Sequence, residues 1–226
     1  MAYVPELDTT RPTRPRITRT LDGTELRVLG CLMEKQLATP EYYPLTLNAL
    51  VAACNQKSNR EPVMGLPENE VQRALDRLQD EKLVWKVMGG RAVRFDHNLD
   101  GVWHLDRAEK ALITLLFLRG PQTAGELRGR SDRLQPFEGV AAVEERLHEM
   151  AGHSEPLVRQ LPRRPGQKEE RWAHTVGGEA AEPAPVRAPV AAVGGEPLPA
   201  RVARLEERLQ AVEELLAELT EKLGVR

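Results

Sequence analysis

The stretch VQRALDRLQDEKLVWKVMGGRAVRF, Val71 to Phe95, changes its hydrophobic period halfway along, and that change decides the fold. Val71, Ala74, Leu75 and Leu78 recur at the three- and four-residue steps of a helix with one narrow apolar face. Leu83 to Met88 and Arg91 to Phe95 are instead two short β-prone runs. Between them Gly89-Gly90 tolerates the positive φ angles of a tight hairpin turn.

Working upstream, Asp22 and Glu25 have the spacing of a capping box, and Leu26, Leu29, Met33 and Leu37 follow at helical intervals, ending before Pro40. Thr46 is placed to cap a short second helix through Leu47, Leu50, Val51 and Cys54, which closes at Asn55 to Asn59. A loop with Glu61, Pro62, Gly65 and Pro67 leads into the Val71 helix. Three helices followed by a hairpin is the order of a winged helix, a helix-turn-helix with a β wing, here over residues 21–100.

Downstream the same order recurs in degenerate form over residues 101–176. Leu105-Asp106 echoes Leu21-Asp22, and the almost continuous apolar run Leu112 to Leu118 predicts a helix buried between other elements. Thr123 and Glu126 make a capping box for a brief second helix. Val140, Val143 and Leu147 match Val71, Ala74 and Leu78 at a constant offset of 69, and Leu157–Leu161 with Arg171–Val176 predict a second hairpin. Its long charged tip carries Pro162, Pro165 and Gly166. The expected fold class is therefore mainly α with small β-hairpins (α+β): two tandem winged-helix domains plus a C-terminal coiled-coil helix.

The ends differ from this middle. Arg11, Arg14, Arg16 and Arg19 against Glu6 and Asp8 make residues 1–20 a basic arm of charge +2. Residues 177–199, rich in Gly, Ala, Pro and Glu without periodicity, predict a semi-extended linker. In residues 200–226, Val202, Leu205, Leu209, Val212, Leu216, Leu219 and Leu223 alternate steps of three and four, the seam of a coiled coil. With Val202 as the first seam position, a parallel dimer pairs Arg201 with the partner's Glu206 and Arg208 with the partner's Glu213. The expectation is a homodimer through these helices; the alternative is a single amphipathic helix folded back on its own domains.

Composition narrows the function classes. With 41% hydrophobic, 29% charged and only 4% aromatic residues, the cores are filled by Leu, Val and Ala. No apolar run reaches the roughly 18 residues of a membrane helix, and no signal-peptide core stands at the N-terminus, so a cytoplasmic location without membrane contact is expected. Cys31 and Cys54 each sit in an apolar helical pattern and read as buried reduced thiols. His97, His104, His148, His153 and His174 are scattered and match no metal template. Phosphate-binding glycine loops and nucleophile elbows are missing too, so neither a cofactor nor an enzymatic role is expected.

The segment TPEYYPLTLNALVAACNQKSNREPVM, Thr39 to Met64, resembles the signature of the YceH-like family of uncharacterised bacterial proteins. So do LDGTELRVLGCLMEK at 21–35, the Val71-Gln72-Arg73-Ala74-Leu75 helix with its wing, the second domain and, in kind, the terminal coiled coil. The resemblance implies a tandem winged-helix fold in a cytoplasmic bacterial protein and brings no activity with it.

Recognition remains. By analogy with winged helices, the third helix enters the DNA major groove and the wing touches the backbone. Candidate DNA contacts are the arm's Arg11, Arg14, Arg16 and Arg19, then Lys57 and Arg60 before the third helix, Arg73 on it, and Lys86, Arg91 and Arg94 along the wing. Against them, the outer face of that helix carries Asp76 and Asp80, and the equivalent face of the second domain carries Glu145 and Glu149, which repel phosphates. Tyr42 and Tyr43 either form a recognition patch or cover a core edge. Two readings follow: a dimeric DNA-associated or regulatory protein, or a protein-protein interaction adaptor using the acidic faces without direct DNA binding.

Overall fold

The computed structural model describes residues 19–89, 92–163, 167, 169–177 and 210. Among them are seven α-helices and two small antiparallel sheets, a mixed α/β architecture. The first helix, α1 (Gly23–Ala38), starts at the expected Asp22, whose side chain accepts the Glu25 N–H while Glu25 reaches back to the Asp22 N–H. Thr46 caps α2 (Leu47–Cys54) by accepting from the Ala49 N–H. Then come α3 (Glu68–Asp80) and the hairpin of β2 (Val84–Gly89) and β3 (Ala92–His97). Gly89 pairs with Ala92, so it belongs to the strand rather than to the turn.

Three elements escape the hydrophobic pattern: a one-turn 3-10 helix (Pro40–Tyr42), strand β1 (Leu45–Thr46) and α4 (Leu99–Trp103). Strand β1 pairs antiparallel with β3, Leu45 opposite Phe95, giving the sheet order β1-β3-β2. The second half repeats the first as α5 (Arg107–Arg119), α6 (Ala124–Ser131), α7 (Val140–Ala151), β4 (Val158–Leu161) and β5 (Arg171–His174). Asp106 with Glu109 and Thr123 with Glu126 cap α5 and α6 by the same reciprocal bonds as at Asp22. Gln122 bridges Trp172 of β5 just ahead of α6, as β1 pairs with β3 just ahead of α2.

The described residues through 177 form one compact unit with one unbroken core. The expected boundary at 100–101 falls inside α4. Helices α1 and α5 are buried around most of their circumference, as central helices are. They cross at Gly30, where an added Cβ would lie 2.8 Å from Cδ2 and 2.9 Å from Cγ of Leu118. A valine there gains helix propensity over glycine but must push two halves of a close-packed core apart. Gly30→Val is expected to cost about 1–3 kcal/mol in urea unfolding; an unchanged midpoint would show that the helices do not meet this closely.

Candidate functional site

The candidate contacts expected from the sequence fall mainly around the outer face of the third helix and the first hairpin. On α3, the exposed side chains are Glu68, Asn69, Arg73, Asp76, Arg77 and Asp80. Arg77 is exposed but turned inward, its Nη2 donating to Asp22 Oδ2 at 2.6 Å and its Nε to Glu25 Oε1 at 2.9 Å. Gln72 donates to Asp76 Oδ1, keeping that carboxylate on the helix surface. Glu25 itself is fully buried, and burial alone would raise its pKa. Donation from Arg19, the Asp22 N–H and Arg77 outweighs burial and holds the carboxyl below its ordinary value.

The second half reproduces this anchor. Arg146 of α7 donates from Nη1 to Asp106 Oδ2 at 3.1 Å, the cap aspartate equivalent to Asp22, and also pairs with Glu149 at 3.0 Å. Glu144, Glu145 and Glu149 are left exposed on α7. Val140, matched by sequence to the buried Val71, is exposed because it starts α7 beyond the edge of the core.

Several candidate cations are occupied within the fold. Arg60 requires a correction: its side chain is wholly buried, not aimed at phosphate. Its guanidinium grips the Glu34 carboxylate at 2.6 and 3.1 Å, accepts no solvent contact, and donates through Nε to the Ala53 carbonyl at the end of α2. Buried Arg27 does the same for the Cys54 carbonyl, so two arginines satisfy carbonyls that a helix C-terminus leaves without partners. Arg19 binds the Glu25 carboxylate with both terminal nitrogens and Glu81 with Nε, fastening the end of the arm to α1 and α3. Arg94 donates to the Pro44 carbonyl at 2.7 Å. Lys57, Arg73 and Lys86 are exposed. Arg11, Arg14, Arg16 and Arg91 lie outside the described residues, as do the seam positions Val202, Leu205, Leu209, Val212, Leu216, Leu219 and Leu223.

The tyrosines divide. Tyr43 is half-buried, its hydroxyl placed between Asp96 Oδ1 and the His97 N–H, whereas Tyr42 is exposed. The polar loop after α2 is likewise internal in purpose: Asn55 exchanges two hydrogen bonds with the backbone of Leu66, and Asn59 accepts from Arg119.

Sequence reasoning missed the apolar surface of the first hairpin. Met88 is 84% exposed and its strand partner Val93 41%, while Trp85, on the opposite face of the sheet, is 54% exposed. Strand alternation tells which residues share a face, not how far the sheet runs past the core that covers it. The hairpin thus exposes apolar side chains on both of its faces, and its first strand packs beside α3. Among the described residues, no group of three or more His, Cys, Asp or Glu could hold a metal, and no helix is long and apolar enough to cross a membrane.

Comparison with known proteins matches residues 21–167 to the family model described as "Protein of unknown function, DUF480". A UPF0502 protein of Geobacter sulfurreducens is 55% identical over 160 residues, covering 70% of this chain and 73% of that protein. Longer matches extend to UPF0502 proteins of Chromobacterium violaceum, 44% identical over 209 residues (92% and 94% of the two chains), and Paraburkholderia phymatum, 43% over 220 residues (94% and 92%).

Proposed function

The chain belongs to the DUF480 (UPF0502) family of uncharacterised bacterial proteins, and from the surface chemistry of this member we propose a non-catalytic protein-interaction adaptor built on two winged helices. The repeated order of three helices and a hairpin, each with a short strand or bridge ahead of its second helix, supports the winged-helix reading of both halves. One observation carries the adaptor reading: Arg77 and Arg146 bend back onto the cap aspartates, Arg146 also pairing with Glu149, so the faces that would enter a groove present Asp76 and Asp80 beside Arg73 on one helix and Glu145 on the other. Carboxylates there oppose phosphate, whereas a basic protein surface would pair with them and the exposed Trp85 and Met88 would supply apolar anchors. Two copies joined through residues 200–226 would present these surfaces twice.

Fluorescence anisotropy of labelled random-sequence duplex DNA, titrated with the full chain across a salt series, separates this reading from a DNA-binding one. No binding is expected even at low salt. Micromolar affinity with a steep salt slope would overturn the adaptor reading and return weight to Lys57, Arg73, Lys86 and the arm.

A further inference from the structure

The end of α1, the loop after α2 and the end of α6 enclose a cleft of about 630 Å³ above α5. That volume lies within the range of small-molecule sites. Its floor is apolar, made by Leu115, Leu118 and Leu134, and its rim is polar. The walls are tied to each other: the Glu61 N–H donates to the Leu118 carbonyl at 2.8 Å, and Arg119 Nη2 donates to Asn59 Oδ1 at 2.6 Å. Such a cleft exists before any ligand arrives.

Its charges do not cancel. The two carboxylates on it are already engaged, Glu34 by Arg60 and Asp132 by Arg128, both at 2.6 Å. Lys57 and Arg133 are exposed on the rim and form no ion pair among the described residues. Arg130 also lines the cleft, but its Nη1 donates to Gln122 Oε1 at 2.6 Å and its Nη2 lies 3.6 Å from Glu126, so it is engaged within the fold. The C-terminal end of α1 does not consume these cations, since the Lys35 carbonyl accepts from both the N–H and the hydroxyl of Thr39. Arg119, beside the cleft, sits below the ordinary arginine range: burial lowers it first, then Arg130, and the nearby glutamates do not compensate.

We propose that this cleft binds a small amphipathic organic anion, its apolar body on the leucine floor and its carboxylate or sulfonate held by Lys57 and Arg133. The site is independent of the adaptor surfaces and stands or falls without them. A probe of this chemistry is 8-anilinonaphthalene-1-sulfonate, whose fluorescence rises on leaving water. Titrated into the full chain, it is expected to saturate one site. In the double variant Lys57→Glu, Arg133→Glu, both surface positions, binding is expected to weaken at least about tenfold while circular dichroism stays unchanged; about tenfold corresponds to 1.4 kcal/mol. Decanoate should displace the probe and inorganic phosphate at equal concentration should not. Probe binding that is absent, or unaltered in the double variant, would overturn the proposal. Displacement by phosphate as effective as by decanoate would overturn the requirement for an apolar body.

Discussion

Arg60→Met is expected to lower the free energy of unfolding by about 3–5 kcal/mol, the usual result of removing one partner from a buried ion pair. The arginine side chain is fully covered and that of Glu34 is 12% exposed, so the carboxylate left behind has little water to turn to. Burial by itself would raise the Glu34 pKa; Arg60 is what holds it below the ordinary value, with help from Lys35. The loss extends past the pair. Arg60 also supplies the donor for the Ala53 carbonyl and for Gln56 Oε1, and a buried carbonyl without a donor costs about 1–3 kcal/mol. Arg60→Lys, which keeps the charge but not the planar fork, should fall between wild type and methionine. Adding Glu34→Leu to Arg60→Met should recover part of the loss, since no charge is then stranded. Urea unfolding followed by circular dichroism measures all three. A loss under about 1 kcal/mol for Arg60→Met would return the side chain to the list of free cations.

That arginine also shows where the sequence stops being readable. The capping boxes at Asp22 and Thr123, the stop before Pro40 and the switch from helix to hairpin after Leu78 are local signals, and each is found where expected. Their physical basis lies within three or four residues, which a sequence displays directly. Arg60 follows a polar loop and looks solvated because Glu34 and the end of α2 meet it only through tertiary packing. Strand β1 is illegible for the same reason, being two residues long and defined by a partner near Phe95. The shared core was hidden differently. A repeat in sequence says that two halves fold alike, whereas the meeting of α1 and α5 at Gly30 depends on a small residue inside an otherwise ordinary helix. Of the candidate surface, the acidic residues of α3 and α7 were legible from helical periodicity. The inward turn of Arg77 and Arg146 was not, because each anchor is an aspartate in another helix's cap.

Acid should unfold this protein earlier than its carboxylates alone would require, because two buried histidines are held neutral. His97 and His174 are each pushed down from 6.5 to about 4, first by burial. For His97, Asp100 and Asp96 oppose the shift and Lys110 reinforces it; for His174, Arg159 reinforces it. The bonding fits a neutral His97: Nδ1 accepts the Leu99 N–H at 3.2 Å, leaving Nε2 to donate to Gln36 Oε1 at 2.9 Å. His174 packs edge-on against Phe117 at a centroid distance of 5.1 Å, with Nδ1 buried and unpaired. Since both folded pKa values lie below the unfolded value, the unfolded chain binds protons first as pH falls. Their stability contribution is therefore intact above about 6.5 and is lost between there and about 4, with each histidine worth about 3 kcal/mol over that interval. Glu25 and Glu34 have depressed values, so their loss begins only once pH falls into the carboxylate range, at about 4.3. The interval from about 6.5 to about 4.5 thus isolates the histidines. In it, His174→Leu should clearly reduce the pH dependence of urea unfolding. His97→Asn, whose Oδ1 can take over the Leu99 N–H, should reduce it by a similar amount. A wild-type stability that stays flat from pH 7 to 5 would mean that both rings have access to protons in the folded state.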